Sequence, residues 1–565
     1  MLIHARISYM LSTMAAAIFS WILLIVAFSG LGYALFAICR FEKEEDRFFY
    51  AFWTGFCIVL FFLQLWHLAL PVNDKALFLI LIVGGCCFVL TIREIAIDIA
   101  QFSGKQVNST QRSHSTQSRT HFFSASSALI LITGLVLFVA NRAMAPIKLF
   151  DAGLYHLAVI QWDSSYPIVR GLGNLMERFG MNNSYFLFHA FLDPFPFVRS
   201  FHVANGLLLI VLFLQMISAF FRIAKKQGRT VDWFLMVLLP AAFGQLLDHS
   251  EDTSPDLAIF IMGALIGIRL CCSLFSEQTN RQKAFDVFYI SLLSATAVSI
   301  KISAVVFGLI AIGIALVRYR SGFLWLLPAI GVLLVWVIGN TLLTGYPFYP
   351  LPAFAVHAEW TMPLRAVVNL ERWIRISARG PYSDPMASLN TWGWLSPWLQ
   401  TVFQQRQNLF EIVLPLTLFV LGLIVVKKKD RRTFWLIVPA IFSTIYWFRA
   451  PAARFAGASF WWLVAGVFAP FLQRSRIEMK YFVLVLLTAG LFVSRVYYAP
   501  IVVRAAPVYH YPATLTRFIT DSGLMVYVPI ELNSCWESPL PCTGTPDRTM
   551  RLLRNNDLSS GFVSK

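Results

Sequence analysis

The sequence contains few charged residues for its length. Asp, Glu, Lys and Arg together make up 13% of its 565 residues, whereas soluble proteins carry about 25%. This shortage excludes an ordinary water-soluble surface for a chain of this size. Apolar side chains are abundant instead, at 58% of the residues, and they include 51 Phe and 17 Trp. The composition therefore indicates an integral membrane protein.

Several motifs of soluble protein classes are also absent. The sequence has no zinc-finger spacing, no phosphate-binding P-loop and no dinucleotide-binding glycine motif. No small-residue cleavage site follows the first apolar stretch, so we expect a retained span rather than a signal peptide. The net charge is +17, and such an excess usually lies in cytoplasmic loops that face anionic lipid. We therefore expect membrane lipids, and no nucleic acid, as partners of the basic residues.

Cysteine is scarce, and its eight copies fall into two groups. Those in apolar stretches are expected to be inert packing residues. They are Cys39, Cys57, Cys86, Cys87, Cys271 and Cys272. Cys535 and Cys542 instead bracket a Pro-containing turn near the C-terminus. Their short spacing predicts a disulfide if the tail lies in an oxidising compartment.

Long apolar runs predict the architecture. A helix needs roughly 20 apolar residues to cross a bilayer, and by this rule the sequence predicts about fourteen spans. They centre near residues 11–38, 48–70, 76–98, 126–144, 200–221, 231–247, 256–275, 286–300, 303–318, 322–343, 409–426, 433–448, 455–472 and 481–498. The expected fold class is an all-α polytopic membrane protein with about 14 transmembrane helices.

The two short runs at 286–300 and 303–318 are predicted to form a hairpin. Arg281 precedes the pair and Arg318 follows it. Because basic residues favour the cytoplasm, an even number of crossings must lie between them. Lys301 then lies at the outward end of the hairpin.

Basic loops orient the predicted spans. The segments 222–229, 427–432 and 474–480 are rich in Lys and Arg, and such loops favour the cytoplasmic side. Counting crossings places 40–47 and 99–125 on that side as well. The last of these is rich in Ser, Gln and Thr, so we expect a flexible linker.

The remaining loops are expected to face outward, together with the N-terminus. They are 145–199, 248–255, 344–408 and the tail from 499. Three units follow from this topology. They are 1–125, with N-terminal transmembrane helices and the linker; 126–498, a transmembrane core; and 499–565, a small extracytoplasmic cap with one hairpin stapled by the disulfide.

The first large outer loop begins with a candidate catalytic acid, Asp151. A carboxylate at a membrane surface is costly and is rarely idle, so we expect a general base or a group that orients an acceptor hydroxyl. The alternative is an N-cap for the helix that starts there. Tyr155 would share a helical face with Asp151, with His156 beside it. Tyr155 and His156 are candidate substrate-binding residues. The half-length apolar segments in this loop predict helices that lie on the membrane interface.

Further polar candidates lie elsewhere in the outer loops. Asn174 and Arg178 follow in the first loop and are expected to bind substrate. The segment 248–256 has four carboxylates and no basic residue, which suits a divalent cation such as Mg²⁺ or Mn²⁺. Its expected ligands are Glu251, Asp252 and Asp256. The alternative is a helix start, with Ser254 as the N-cap, Pro255 in the first turn and Asp256 complementing the helix dipole.

Cations are expected to hold a phosphate group. Lys301, Arg449 and Arg454 are the candidates, since guanidinium groups match phosphate geometry. Ordinary interfacial arginines and a snorkelling lysine are the alternatives. We predict that Asp151, Lys301 and Arg454 converge on one cavity that opens sideways to lipid. The arginines of the 344–408 loop are either solvated or attract an anionic acceptor. They are Arg365, Arg372, Arg375 and Arg379.

This layout resembles the GT-C superfamily of membrane glycosyltransferases. That superfamily includes protein O-mannosyltransferases, the aminoarabinose transferase of lipid A and the oligosaccharyltransferases. The segments DAGLYH, YPIVRGLGN, SPDL, GYPFYP, RFAGASFWW and CWESPLPCT are similar to those of a less characterised bacterial branch. The similarity covers most of residues 126–545. It departs from the family pattern because about three spans precede the first acidic loop and Asp151 has no paired acid.

The resemblance implies a GT-C-like fold and a polyprenyl-phosphate sugar donor. It also implies an essential acid in the first outer loop, for which Asp151 is the match, and a second acidic loop at 248–256. We therefore expect an inverting hexosyl- or pentosyl-transferase of the bacterial inner membrane, with its site facing the periplasm. The acceptor would be a lipid, a glycan or a protein of the cell envelope. The alternatives are a transporter or flippase for a lipid-linked glycan, and an O-antigen polymerase or ligase.

Overall fold

The structure is a computed structural model. It describes residues 2–102, 125–195, 198–380, 386–426, 430–475, 478–498 and 507–564. The predicted flexible linker falls almost entirely on residues 103–124, outside the described residues.

Helices dominate the described part of the chain, as the apolar runs predict. They are α1 (Leu2–Ile38), α2 (Arg47–His67), α3 (Asp74–Phe102), α4 (Ala125–Ala143), α5 (Leu157–Ser165), α6 (Ser184–Leu192), α7 (Ala204–Ala224), α8 (Thr230–His249), α9 (Pro255–Phe275), α10 (Asn280–Ile300), α11 (Val305–Arg318), α12 (Leu327–Thr344), α13 (Leu364–Ala378), α14 (Ala387–Asn390), α15 (Leu395–Gln404), α16 (Arg406–Asn408), α17 (Leu414–Val425), α18 (Arg431–Trp447), α19 (Ser459–Arg474) and α20 (Met479–Val496).

Ten helices in the described ranges are long and apolar enough to cross a membrane. The chain is therefore a multi-pass membrane protein, as its composition predicts. These ten contain α1, α2, α3, α7, α8, α9, α10, α12, α17 and α20. The other four predicted spans correspond to the shorter apolar stretches of α4 and α11, and to α18 and α19, with 17 and 16 residues. A total of fourteen crossings stays a prediction.

The predicted hairpin around Lys301 is confirmed. The backbone N–H of Lys301 donates to Ala297 O over 2.8 Å at the end of α10, and α11 returns alongside α10. A Cβ on Gly308 would lie 2.9 Å from Ser294 Cβ. Only glycine at this position lets the two helices approach so closely. Because α10 is buried from Ala284 to its end, the hairpin holds Lys301 against the centre of the bundle.

Ion pairs join the loops predicted to be cytoplasmic. The loop between α1 and α2 contributes Asp46, which pairs with Arg222 at 2.9 Å and with Arg229 at 2.8 Å. The same loop contributes Glu44, which pairs with the buried Arg269. Segments far apart in sequence therefore meet at one end of the bundle, as the charge pattern predicts.

The sequence predicts that the short helices of the first outer loop lie on the membrane interface, whereas the structure covers them with other helices, as α6 shows most clearly. All nine residues of α6 are buried, and α6 packs against α2 and α5. The reason is its composition, SYFLFHAFL. An interfacial helix needs one polar face, whereas a helix that is apolar on all sides is buried.

The amphipathic helices lie instead in the loop that connects α12 to α17. Helix α13 buries Val367 and Leu370 but exposes Trp373. Helix α15 exposes Leu399 and Phe403, which are one helical turn apart. The loop between α12 and α17 therefore has the exposed apolar helix faces that the sequence predicts for the first outer loop.

The C-terminal cap contains two small antiparallel sheets. They are formed by β1 (Leu515–Ile519) with β2 (Met525–Pro529) and by β3 (Arg551–Leu552) with β4 (Phe562–Val563). The predicted disulfide between Cys535 and Cys542 is confirmed. The second sheet was not predicted, because its two-residue strands carry no periodic signal.

The disulfide loop packs directly on the first outer loop. Trp536 N donates to Gly153 O over 2.9 Å, and its indole stacks on Tyr511, with ring centroids 5.2 Å apart. Gly153 belongs to a π-helical turn, Ala152–His156, which begins next to Asp151. The cap therefore supports the segment that presents the candidate catalytic acid.

Gly153→Ala is expected to destabilise the protein. The new methyl group would lie 2.4 Å from the Trp536 ring, and overpacking of this kind costs about 1–3 kcal/mol. The measurement is the thermal unfolding temperature of the purified protein in detergent. Gly313→Ala is the matched control, because nothing lies within 4 Å of a Cβ at that position. Equal shifts in the two variants would contradict close packing of Trp536 on Gly153.

Candidate functional site

A cavity of about 540 Å³ lies at the end of the bundle opposite the Asp46 ion pairs. Five cationic side chains line it, namely Arg178, Lys301, Arg375, Arg449 and Arg454. Three carboxylates line it as well, namely Asp151, Asp256 and Glu371. The charged lining therefore has an excess of two positive charges.

Asp151 is held between two arginines. Its Oδ2 accepts a hydrogen bond from Arg454 Nη1 over 2.7 Å, and its Oδ1 lies 4.0 Å from Arg178 Nη1. The carboxylate makes no capping bond to the turn that follows it. Asp151 therefore does not act as the N-cap that the sequence offered as an alternative. Its carboxylate lies at the cavity wall.

Asp256 lies at the helix start that the sequence offered as an alternative, and its carboxylate also pairs with Lys301. Ser254 Oγ accepts a hydrogen bond from Asp256 N over 3.2 Å and Pro255 lies in the first turn of α9, so the helix start is confirmed. The Asp256 carboxylate also accepts a hydrogen bond from Lys301 Nζ. Burial lowers the pKa of Lys301, and the pairing with Asp256 opposes that effect.

Arg454 lies close to both carboxylates. Burial by itself lowers its pKa, but the charges of Asp256 and Asp151 outweigh burial, so the pKa of Arg454 is raised. Its guanidinium therefore stays charged at every physiological pH. The predicted convergence of Asp151, Lys301 and Arg454 on one cavity is confirmed, while its opening toward lipid stays a prediction.

Tyr155 and His156 also line the cavity. The Arg178 guanidinium lies over the Tyr155 ring, 5.6 Å from its centroid. His156 Nδ1 lies 2.9 Å from Thr253 Oγ1. Burial lowers the pKa of His156 to about 3. His156 is therefore neutral at physiological pH and can contribute a hydrogen bond but not a charge.

The predicted substrate-binding role of Asn174 needs correction. Asn174 does not line the cavity. Its Nδ2 donates to Trp360 O over 2.8 Å and to Phe562 O over 3.1 Å, and its Oδ1 accepts from Ser564 Oγ over 2.8 Å. Both amide protons are used, so Asn174 joins the first outer loop to the end of the chain.

The three carboxylates predicted to bind a metal ion have separate partners. Asp252 accepts from His249 Nδ1 over 2.8 Å, Glu251 accepts from Ser250 Oγ over 2.8 Å, and Asp256 pairs with Lys301. Within the described residues, no group of three or more His, Cys, Asp or Glu side chains is arranged to hold a metal ion. The residues as placed do not fit a shared cation, and no step is assigned to one.

Glu251→Gln is expected to remove a pH dependence of stability. Burial raises the pKa of Glu251 to about 7. The pKa of Glu251 is higher in the folded protein than in the unfolded one. The neutral carboxyl therefore stabilises the fold fully below about pH 4.5, and this stabilisation is lost as the pH rises through 7. At pH 8 the variant should be more stable than the wild type by up to about 3 kcal/mol.

Thermal unfolding from pH 4 to pH 8 measures this difference. The two proteins should converge at low pH, where Glu251 is protonated and resembles glutamine. A Glu251→Gln variant that is less stable at pH 8, or that loses Mg²⁺-dependent stabilisation, would instead support the metal-site prediction.

Apolar side chains form the remaining wall of the cavity. They come from α10, α11 and α12 and include Val298, Val305, Leu309, Ile312, Leu333 and Val337. The cavity is therefore charged at one end and apolar along one side. Such a lining fits an amphiphilic ligand with an anionic group.

Comparison with known proteins gives one match. Residues 14–462 match the family model described as "Domain of unknown function (DUF8201)". The chain belongs to this family. No curated protein and no solved structure matches it. Every residue that lines the cavity, from Leu149 to Phe455, lies within the DUF8201 region, whereas the C-terminal cap follows it.

Two of the charged cavity residues of the DUF8201 region were not predicted as site residues from the sequence. Glu371 was not singled out, and Arg375 was one of four loop arginines with an open role. Both lie on α13 at a spacing of four residues, and they pair at 2.7 Å. This spacing places side chains on one helical face and could have indicated the pair. Arg449 also pairs with Glu371, at 3.0 Å, rather than with the Asp151 group.

Proposed function

We propose that this DUF8201 protein is a membrane glycosyltransferase of the GT-C type. It would move a hexosyl or pentosyl unit from a polyprenyl-phosphate-type donor to a hydroxyl of a cell-envelope acceptor. The observation that supports this most is the cavity itself, which joins an excess of positive charge to an apolar wall. A prenyl phosphate has the matching parts, an anionic head and a long apolar chain.

The proposed reaction is a single displacement at the anomeric carbon. The acceptor oxygen forms the new bond to that carbon and gives its proton to the Asp151 carboxylate. The bond from the anomeric carbon to the phosphate oxygen breaks, and its electron pair leaves with the prenyl phosphate. Lys301 and Arg454 would stabilise the charge that develops on that phosphate. In-line attack inverts the anomeric configuration.

The proposed location is the outer face of a bacterial inner membrane. Two observations support it. The cavity lies at the end of the bundle opposite the basic residues Arg222 and Arg229, which favour the cytoplasm. The disulfide loop contacts the cavity segment through Trp536 and Gly153, and disulfides persist in oxidising compartments such as the periplasm.

A transfer assay tests the proposal. The purified full chain, reconstituted in nanodiscs, receives a radiolabelled polyprenyl-phosphate sugar and envelope lipids and polysaccharides as acceptors. We expect time-dependent release of prenyl phosphate and label in an acceptor fraction. In proteoliposomes, movement of the intact donor across the bilayer would indicate a transporter instead. No turnover with hexosyl and pentosyl donors, together with no binding of prenyl phosphate, would contradict the proposal.

A further inference from the structure

A second cationic cluster lies beside the cavity, apart from the Asp151 group. It consists of Arg375, Arg379 and Arg449 around Glu371, and we call it the outer cluster. Arg375 Nη2 and Arg449 Nη2 donate to the two oxygens of Glu371 over 2.7 and 3.0 Å. Arg379 Nη2 donates to Arg449 O over 3.2 Å. The cluster therefore joins α13 to the loop between α18 and α19.

The outer cluster contains more positive charge than its own contacts neutralise. Within the described residues, Glu371 is the carboxylate that forms ion pairs in it, so three guanidinium groups share one negative charge. Burial lowers the pKa of Arg379, and the nearby charges of Arg375 and Arg449 lower it further. Like charges held this close favour an anionic ligand between them.

Unused hydrogen-bond donors lie in the same cluster. The Nε–H groups of Arg375 and Arg379 are buried and have no hydrogen-bond partner among the described residues. A buried donor without a partner costs about 1–3 kcal/mol. A ligand with several acceptor oxygens would remove that cost, and phosphate oxygens match the planar fork of an arginine.

The position of the outer cluster relates it to the cavity. Glu371, Arg375 and Arg449 line the same cavity as Asp151 and Arg454. Each group includes an accessible arginine, since the side chain of Arg449 is 53% exposed and that of Arg454 is 42% exposed. The outer cluster therefore adds a second set of accessible cations to the cavity that holds the Asp151 group.

We propose that the outer cluster is a second anion-binding subsite, which takes a phosphate group of the acceptor substrate. Naming the anion as part of the acceptor rests on the proposed function, whereas anion binding by the cluster does not. The Asp151 group would hold the donor phosphate at the same time. A charged acceptor bound by Arg375 and Arg449 would then reach toward Asp151 within the same cavity.

The experiment compares two double variants, each of which replaces two arginines with glutamine and so removes two positive charges. Arg375→Gln/Arg449→Gln changes the outer cluster. Arg365→Gln/Arg372→Gln is the control, since both residues lie exposed on α13 and do not line the cavity. The full chain in phosphatidylcholine nanodiscs is saturated with farnesyl phosphate, so that Lys301 and Arg454 are occupied. Inorganic phosphate is then titrated at constant ionic strength, with the thermal unfolding temperature as the measure of binding.

Phosphate should raise the unfolding temperature of the wild type and of the control. Loss of hydrogen bonds to charged groups should weaken phosphate binding about tenfold or more in the outer-cluster variant. The control should change less than about twofold, as expected for screened surface charges. Phosphate binding that weakens equally in both variants would count against the proposal, and so would the absence of any phosphate effect. Either result overturns the proposal if the lipid measurement also fails to distinguish the two variants.

The lipid measurement identifies the source of the phosphate. Native mass spectrometry counts phosphatidylglycerol that stays bound when the proteins are released from phosphatidylglycerol nanodiscs. Selective loss from the outer-cluster variant, without a response to inorganic phosphate, supports an anion site that prefers a lipid phosphate. Equal retention together with the selective phosphate response supports a soluble or glycan-borne phosphate. If neither ligand distinguishes the two variants, the subsite does not exist.

Failure of the proposed function has a different signature. If farnesyl phosphate does not bind the wild type, the donor assignment is contradicted, and the phosphate titration is repeated without it. Arg454→Gln then replaces saturation as the probe of the Asp151 group. Weakening by Arg375→Gln/Arg449→Gln but not by Arg454→Gln supports the outer subsite on its own. Weakening by Arg454→Gln alone overturns it.

Discussion

Asp151→Asn is expected to reduce sugar transfer from a polyprenyl-phosphate donor by about 10²- to 10⁴-fold, the usual contribution of a general base. The substitution keeps the size of the side chain and an oxygen that can accept from Arg454. It removes the basicity that the proposed proton transfer needs. The rate of prenyl phosphate release, measured with saturating donor, checks this expectation.

Donor binding should survive in the same variant. Asp151 contributes a negative charge beside Arg454 and Arg178, so its loss leaves these cations free for a phosphate. We therefore expect the affinity for farnesyl phosphate to be unchanged or increased, while turnover falls. A loss of binding equal to the loss of turnover would indicate a structural role for Asp151 instead.

Asp163→Asn is the matched control for this prediction. Asp163 lies in the same outer loop but does not line the cavity. Burial raises its pKa well above the ordinary value, and asparagine keeps the size and shape of the side chain. Turnover in this variant should equal that of the wild type. If Asp151→Asn is as active as this control, the catalytic acid is elsewhere, and an O-antigen polymerase or ligase type of enzyme becomes the better proposal.

Arg269→Met is expected to cause the largest loss of stability. Arg269 is 1% exposed and pairs with Glu44 and Asp286 at once. Its removal would leave two largely buried carboxylates without a cation, which costs about 3–5 kcal/mol. The loop between α1 and α2 would also lose a bond to α9. The measurement is the thermal unfolding temperature in detergent.

A triple variant keeps this prediction testable if the single variant does not accumulate. Arg269→Met/Glu44→Gln/Asp286→Asn removes the whole set of charges, so no uncompensated charge stays buried. It should recover most of the lost stability. Arg320→Met is the surface control, because Arg320 is exposed and such substitutions change stability by about 0.5 kcal/mol or less. A single variant as stable as this control would contradict a structural role for the buried charges.

The membrane class, the hairpin at Lys301 and the disulfide were all predictable from the sequence. Each depends on local information. The length of an apolar run indicates a span, the positions of basic residues indicate which ends lie together, and two cysteines seven residues apart can reach each other without distant help. The convergence of Asp151, Lys301 and Arg454 followed from the same topology, since the loops that carry them share one side of the membrane.

The choice of partners could not be predicted in this way. The sequence allowed Arg449 to join Arg454, Asn174 to contact substrate, and three carboxylates of the 248–256 loop to share an ion. In the structure Arg449 pairs with Glu371 and Asn174 binds the C-terminal strand. These choices depend on ångström-scale distances between helices, because hydrogen bonds and ion pairs weaken steeply beyond contact.

Composition and charge order alone thus identify a multi-pass membrane protein whose acidic and basic loop residues gather at one end. Burial and pairing come only from the packed bundle. The same apolar sequence that suggested an interfacial α6 makes it a buried helix once α2 and α5 cover it. Arg449, which the sequence predicts to hold a phosphate together with Lys301 and Arg454, belongs to the outer cluster once α13 folds beside it. A residue's neighbours across the fold set its electrostatic environment, and no local pattern contains that information.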